Sequence, residues 1–176
     1  YKDVKDISVT VKFKLKNPEN IGLSGDVYML AWTTTPWTLP GNVALAVGSD
    51  IQYVAAHKNG EDITYIVANE QKERVLEALK GPWTEDGAFK GSELVGTEYE
   101  PPFDYYVKDE KLKNRENGWK VYAADFISAE SGTGIAHEAP AFGADDWELA
   151  KQVNLPFVQH VSFDGTMKSE VTAFAG

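Results

Sequence analysis

Cysteine is absent from the 176 residues, so neither a disulfide nor a thiolate metal site is open to this chain. Histidine is scarce, and His57, His137 and His160 are too scattered to form a zinc motif. No apolar run approaches membrane-spanning length, and no signal-peptide pattern is present, so no membrane partner is expected. Together with the missing cysteines, this fits a cytoplasmic origin. Positive charge is also in deficit. With 17 Lys and Arg against 27 Asp and Glu, the formal charge is −10, which argues against an autonomous nucleic-acid binder. Phosphate contacts need clustered basic side chains. There is no Gly-x-Ser-x-Gly elbow and no phosphate-loop or dinucleotide fingerprint, so covalent serine hydrolysis and nucleotide-cofactor chemistry are not indicated. No metal or organic cofactor is expected.

What is present suits one folded domain over 1–176: 43% hydrophobic and 12% aromatic residues, enough for a core of its own. The first residue is Tyr1 rather than methionine, and the expectation is a piece cut from a longer protein. Residues 7–15 alternate, with Ile7, Val9, Val11, Phe13 and Leu15 on one face, which predicts a half-buried strand. Further strands are expected at 27–32, 42–47, 51–57, 62–68, 119–124, 134–137 and 156–162. Short strands or loops are expected at 89–94 and 96–98, and an extended run at 99–106. His57-Lys58-Asn59-Gly60 reads as a hairpin turn. Helical spacing predicts helices over 69–80, with Asn69 as N-cap and Val75, Leu76 and Leu79 as an apolar stripe, and over 145–153, with Trp147, Ala150 and Val153 inward. The charged stretch 108–118 reads as a mobile surface loop, and the tail to Gly176 carries little signal. The fold class that follows is α+β, mainly β: a compact, mixed, β-barrel-like domain with peripheral helices.

Two stretches stand out. Residues 132–147 open on Gly132-Thr133-Gly134, whose glycines permit a close backbone approach to a ligand. They continue through an apolar run holding His137, break at Ala139-Pro140, and end on Asp145-Asp146, where a helix N-terminus favours negative charge. Residues 32–42 place four threonines, Thr33, Thr34, Thr35 and Thr38, between and beside Trp32 and Trp37, with Pro36 and Pro40 stiffening the loop. Each threonine offers a hydroxyl and a cavity-shaping methyl. Read plainly, they form a strand and a turn with hydroxyls bonded to local backbone, followed by a strand and a helix capped by two aspartates.

Together these stretches resemble the editing domain of the class I aminoacyl-tRNA synthetases for branched aliphatic amino acids, the insertion called connective polypeptide 1. Trp32-Thr33-Thr34-Thr35-Pro36-Trp37-Thr38-Leu39-Pro40-Gly41-Asn42 is similar to its threonine-rich peptide, and residues 132–146 to its second editing motif. Ala124-Asp125-Phe126-Ile127-Ser128 and Tyr99-Glu100-Pro101-Pro102-Phe103-Asp104-Tyr105 also read like that family. The leucyl and valyl branches carry an arginine in place of Thr35 and an acidic residue in place of Trp37, which favours the isoleucyl branch.

The resemblance implies a compact β-barrel with peripheral helices, and an aminoacyl-tRNA deacylase acting on Val-tRNA(Ile) and on valyl-adenylate or valine analogues. Its partners would be the aminoacylated 3′ end of tRNA(Ile) and the remainder of a synthetase. It assigns catalysis to Asp146, His137 and Thr38. Asp146 would hold the substrate ammonium, Asp145 would be its exposed helix-capping neighbour, and Thr38 would exclude isoleucine. Trp32, Thr33, Thr34 and Thr35 would line the substrate site, and His137 would position water or a ribose hydroxyl. The nucleotide signatures of a synthetase core, His-Ile-Gly-His and Lys-Met-Ser-Lys-Ser, are absent, so no amino-acid activation with ATP is expected. The alternatives are a leucyl- or valyl-type editing domain, and a non-catalytic module that only holds the acceptor end. The intact Asp146 and threonine loop weigh against the second.

Overall fold

The computed structural model describes residues 7–176. Nine strands run as β1 (Val9–Leu15), β2 (Asp26–Thr33), β3 (Ala44–Val47), β4 (Gln52–Lys58), β5 (Ile63–Ala68), β6 (Trp83–Lys90), β7 (Tyr99–Glu100), β8 (Lys120–Ala123) and β9 (Ile135–Glu138). Three helices are α1 (Lys72–Ala78), α2 (Gly91–Leu94) and α3 (Ala144–Val153). Six strands form a mixed sheet in the order β6-β4-β5-β2-β1-β7, in which only β2 and β5 pair in parallel. The other three form a small sheet, β8-β3-β9, with β3 in the middle.

No closed barrel is found among the described residues. The expected barrel-like outline is represented by two open sheets stitched together at two places. A bridge between Glu98 and Lys120 carries the β7 end onto β8. The Ala68 amide, at the end of β5, donates to the Thr133 carbonyl at 2.8 Å. The main core lies between the sheets. Phe13, Leu15, Val27 and Met29 come from one sheet, and Val43, Leu45, Val121 and Ile135 from the segments of the other. A smaller cluster, Leu30, Val54, Tyr65, Val67 and Val75, sits on the outer face of the large sheet under α1. Burying both faces explains why β5 reads as a mostly apolar run, interrupted only by Thr64, rather than an alternating one.

The alternation in β1 predicts its inward face from Val9 onward, but Ile7 precedes the strand and is 72% exposed. Strand β6 went unpredicted because Trp83-Thr84-Glu85-Asp86-Gly87 reads as polar turn chemistry. It is an edge strand, and charged side chains on an edge discourage further pairing. Of residues 89–94, expected as a short strand or loop, Phe89 and Lys90 end β6 and the rest is α2. The first predicted helix is a 3-10 turn, Asn69–Gln71, leading into α1, and Asn69 makes no capping bond. Its C-terminal stripe fails at Leu79, which follows the last helical residue and is exposed, with Lys80 in the left-handed region.

On α3, Trp147 points outward instead of inward and meets Phe157 edge to face, while Leu149 takes the buried position. The extended run at 99–106 pairs only over β7 and then turns. Residues 156–162 form no strand, only an isolated bridge from Val161 to Met167. The 108–118 loop is tied down rather than loose: Arg115 donates to the Val107 carbonyl, Asn117 to the Asn154 carbonyl, and Tyr122 to the Asn117 carbonyl. The tail is anchored too, with Val171 buried and Phe174 edge-on against Phe103.

Candidate functional site

Strand β2 ends at Thr33 and delivers the threonine loop. The Thr35 amide donates to Thr33 Oγ1 at 3.1 Å, folding the chain back on its own side chain before Pro36 starts a 3-10 turn over Pro36–Gly41. Inside that turn, Thr38 Oγ1 lies 2.8 Å from the Thr35 carbonyl and 2.8 Å from His137 Nε2, 99 residues away in sequence. Thr33 and Thr38 are buried, whereas Thr34 and Thr35 are exposed. Thr34 makes no side-chain hydrogen bond among the described residues. The turn is clamped from outside by His160, whose Nε2–H donates to the Trp37 carbonyl at 2.9 Å and whose ring meets Phe142 edge-on.

His137 arrives on β9, in register with Leu45 of β3. Its Nδ1 lies 2.9 Å from Asn42 Nδ2, which also donates to the Ala44 carbonyl at 3.0 Å. Asn42 Oδ1 accepts the Tyr99 hydroxyl at 2.6 Å. This bonding leaves one consistent proton assignment. The amide nitrogen must face the Ala44 carbonyl, so it donates its second proton to Nδ1, and the ring carries its own proton on Nε2. That proton goes to Thr38, whose hydroxyl goes on to the Thr35 carbonyl. Burial, reinforced by His160, pushes the His137 pKa down to about 4, so the ring is neutral at pH 7. With Nδ1 accepting and Nε2 donating, it has no free lone pair with which to act as a base.

Asp145 and Asp146 both fall in the first turn of α3, but Gly143 is the N-cap and no side chain caps the helix. Asp145 is exposed, as expected of the outer member of the pair. Asp146 turns back instead, and its Oδ2 accepts the Ala139 amide at 2.7 Å. Ala139 is two residues past His137, so the carboxylate fixes the turn leaving β9. Gly143 is required by this arrangement, because a Cβ there would overlap Asp146 Oδ1. Burial raises the Asp146 pKa despite the Ala139 bond, leaving a poorly solvated carboxylate. No hydrogen bond joins Asp146 to Thr38 or His137 among the described residues.

The glycines of the Gly-Thr-Gly turn answer first to the protein itself. Gly132 and Gly134 both have φ in the left-handed region, and a Cβ on Gly134 would collide with Ala68. Tyr53 donates its hydroxyl to the Gly134 carbonyl at 2.6 Å, tying the turn to β4. Beside it lies a cleft of about 200 Å³, lined by Trp32, Phe126, Ile127, Ser128 and residues 131–136. Trp32 thus meets the second signature stretch at this cleft, whose lining includes neither Thr38 nor His137.

Sequence reasoning missed Asn42, Tyr99 and Glu138. Asn42 was visible only as the end of the threonine peptide, and Tyr99 as an extended aromatic. Glu138 is 1% exposed, with Oε2 buried and unpartnered. Burial, then Asp146 and Asp145, raise its pKa well above 4.5, so the fold favours its protonated form. A carboxyl whose folded pKa is raised contributes stability below its unfolded pKa, and that contribution is lost as pH rises through the folded value. Glu138→Gln is therefore expected to gain stability over the wild type progressively as pH rises above about 4.5. Urea denaturation at stepped pH checks this, and parallel curves for the two proteins would contradict it.

No family model matches the chain. Over its full 176 residues it is 46% identical to the isoleucine–tRNA ligase of Bacillus thuringiensis (strain Al Hakam). It is 44% identical over the same span to that of Clostridium novyi (strain NT). The chain spans 15% of the length of each of these two relatives. Among solved structures, it superposes on GlLeuRS-CP1 with a TM-score of 0.65 at 20% identity, covering 83% of this chain and 58% of that one. The P. knowlesi cytosolic leucyl-tRNA synthetase editing domain gives a TM-score of 0.63 at 14% identity, covering 82% and 63%. Near-half identity from end to end places this chain in the isoleucine–tRNA ligase family, with the fold that the connective polypeptide 1 editing domains of leucyl-tRNA synthetases share.

Proposed function

We propose that the chain is the proofreading hydrolase of an isoleucyl-tRNA synthetase, removing valine from mischarged tRNA(Ile) and from valyl-adenylate. Isoleucine and valine differ by one methylene, which a hydrophobic pocket resolves by only about 1–3 kcal/mol, a limit for which the isoleucyl enzyme is itself the standard illustration. The remedy is a second, smaller site that admits only the wrong amino acid. The observation that carries this reading is the Thr38–His137 bond, which draws the two signature stretches into one site.

On this reading Asp146 anchors the α-ammonium of valine. Its Oδ2 accepts the Ala139 amide, and a carboxylate has further lone pairs to offer a cation. Thr38 supplies a stiff wall with no room for another carbon. Trp32, Thr33, Thr34 and Thr35 line the approach of the terminal adenosine. His137, neutral and donating through Nε2, orients Thr38 and the reacting ester rather than taking a proton. Water attacks an ester that is already activated, and placement supplies the acceleration. A net charge of −10 leaves tRNA affinity to the remainder of the synthetase, of which this domain would be one part.

The test is a panel of deacylation assays on Val-tRNA(Ile), Ile-tRNA(Ile) and mischarged tRNA(Leu) and tRNA(Val), run with the chain and with a synthetase carrying it. Selective release of valine from tRNA(Ile) is the expected result. Equal or greater activity on a leucyl or valyl substrate would move the domain to another branch. In a mobility-shift assay the chain alone is expected to bind tRNA weakly, and a tight, salt-sensitive complex would contradict the division of labour.

A further inference from the structure

Tyr99 comes from β7, at the edge of the six-stranded sheet, yet its hydroxyl ends inside the site carried by the other sheet. The residue is 0% exposed, and its ring is held edge-on by Phe13 at 5.4 Å. The hydroxyl has a single acceptor among the described residues, Asn42 Oδ1. Asn42 is itself buried, and its backbone carbonyl accepts the indole N–H of Trp119 at 3.0 Å. Trp119 is held at φ 57, an unusual conformation for a bulky residue, and its own amide bonds the Val43 carbonyl. The Asn42 carboxamide is thus gripped at both ends, oxygen by Tyr99 and nitrogen by the Ala44 carbonyl, and only this orientation presents a donor to His137 Nδ1.

We propose that Tyr99 is a positioning residue for the proofreading site: acting through Asn42, it holds His137 in the Nε2–H tautomer that donates to Thr38. The relay runs Tyr99 Oη–H to Asn42 Oδ1, Asn42 Nδ2–H to His137 Nδ1, His137 Nε2–H to Thr38 Oγ1, and Thr38 Oγ1–H to the Thr35 carbonyl. Every donor points the same way along it. Remove the phenol, and Asn42 Oδ1 becomes a buried acceptor without a donor. The amide is then held by the Ala44 carbonyl alone, and the weaker hold lets it turn from His137 part of the time, loosening the contact that fixes the ring's proton. The catalytic part of this proposal rests on the hydrolytic reading above, but the structural part does not.

Tyr99→Phe keeps the ring and its packing on Phe13 and deletes only the hydroxyl. In the chain with 15N-labelled histidine, long-range 15N–1H correlations are expected to read His137 as purely Nε2–H. In Tyr99→Phe its two nitrogen shifts should converge as tautomers mix, and kcat for valine release should fall about tenfold with KM unchanged. A pure Nε2–H ring in the variant overturns the proposal. So does an Nδ1–H ring in the unmodified chain, or rapid solvent exchange of its Asn42 carboxamide protons. Those two measurements decide the matter if the variant does not fold. A tautomer shift in a chain that hydrolyses nothing would sink the proposed function while leaving the hold of Tyr99 on His137 intact. An active chain with an unshifted ring would do the reverse.

Discussion

Asp146→Asn is expected to lower valine release by about 100-fold while leaving the thermal transition close to that of the wild type. The two halves of this expectation come from the two tasks of the carboxylate. Structurally it accepts the Ala139 amide, and an asparagine amide oxygen can accept the same bond. On the proposed reading it also offers a negative charge to a cationic substrate, and asparagine cannot. Asp146→Ala loses both. It leaves the Ala139 N–H without its acceptor, a loss of about 1–3 kcal/mol in stability in addition to the loss of activity. Asp145→Ala is the control: that side chain is exposed, and its removal is expected to leave hydrolysis near wild type.

If Asp145→Ala abolished activity and Asp146→Asn did not, the pair would be assigned the wrong way round. Acidity gives an independent check. On the proposed reading Asp146 must be ionised to hold the substrate, and its pKa is raised from 3.8, chiefly by burial. Activity is therefore expected to fall on acidification at a pH above the ordinary aspartate range. Asp146→Asn should show no such acid limb in its residual rate.

How much of this was legible in the sequence depends on how far apart the cooperating residues lie. Alternation along residues 9–15 fixes the inward face of β1, because a strand's period is local. The threonine loop and the His137–Asp146 stretch were legible as motifs, since each carries its unusual composition within a few adjacent positions. Strand β6 was not, because an edge strand needs only one buried face and one partner, and its charged residues are what a loop would also show. The outward Trp147 was misread because α3 buries Leu149 and Ala150 and leaves the tryptophan to pack on Phe157 beyond the helix.

The bonds that organise the site were out of reach for a different reason. Asn42 meets Tyr99 across 57 residues and His137 across 95, and a hydrogen bond of that span leaves no periodic trace in either segment. The same holds for Gly134, whose need for glycine comes from Ala68 on another strand. The aspartate pair illustrates a subtler limit. Sequence placed both at a helix start, correctly, but only the fold shows that Asp146 turns back to Ala139 while Asp145 faces solvent.

On the proposed reading, Thr38 is the residue at which selectivity and rate separate, because its methyl would form the wall of the pocket while its hydroxyl is committed to His137 and the Thr35 carbonyl. The side chain is buried, and its Oγ1 receives His137 Nε2–H while donating to the Thr35 carbonyl. Thr38→Ser keeps that hydroxyl and removes one methyl, creating space for about the single carbon that distinguishes isoleucine from valine. It is expected to retain valine release and to begin hydrolysing correctly charged Ile-tRNA(Ile), with a gain of about 10-fold or more, as a methylene is worth about 1–3 kcal/mol. Thr38→Val does the opposite. It preserves the volume and leaves His137 Nε2–H facing a methyl, so isoleucine stays excluded while valine release slows by about 10-fold from the lost acceptor. Thr38→Ala removes both groups and should show both defects at once, slow and unselective. Deacylation of Val- and Ile-tRNA(Ile) by the three variants checks this. If Thr38→Ser remained blind to isoleucine, the wall of the sieve would lie elsewhere. If Thr38→Val kept full speed, the hydrogen bond from His137 would have no part in placing the ester.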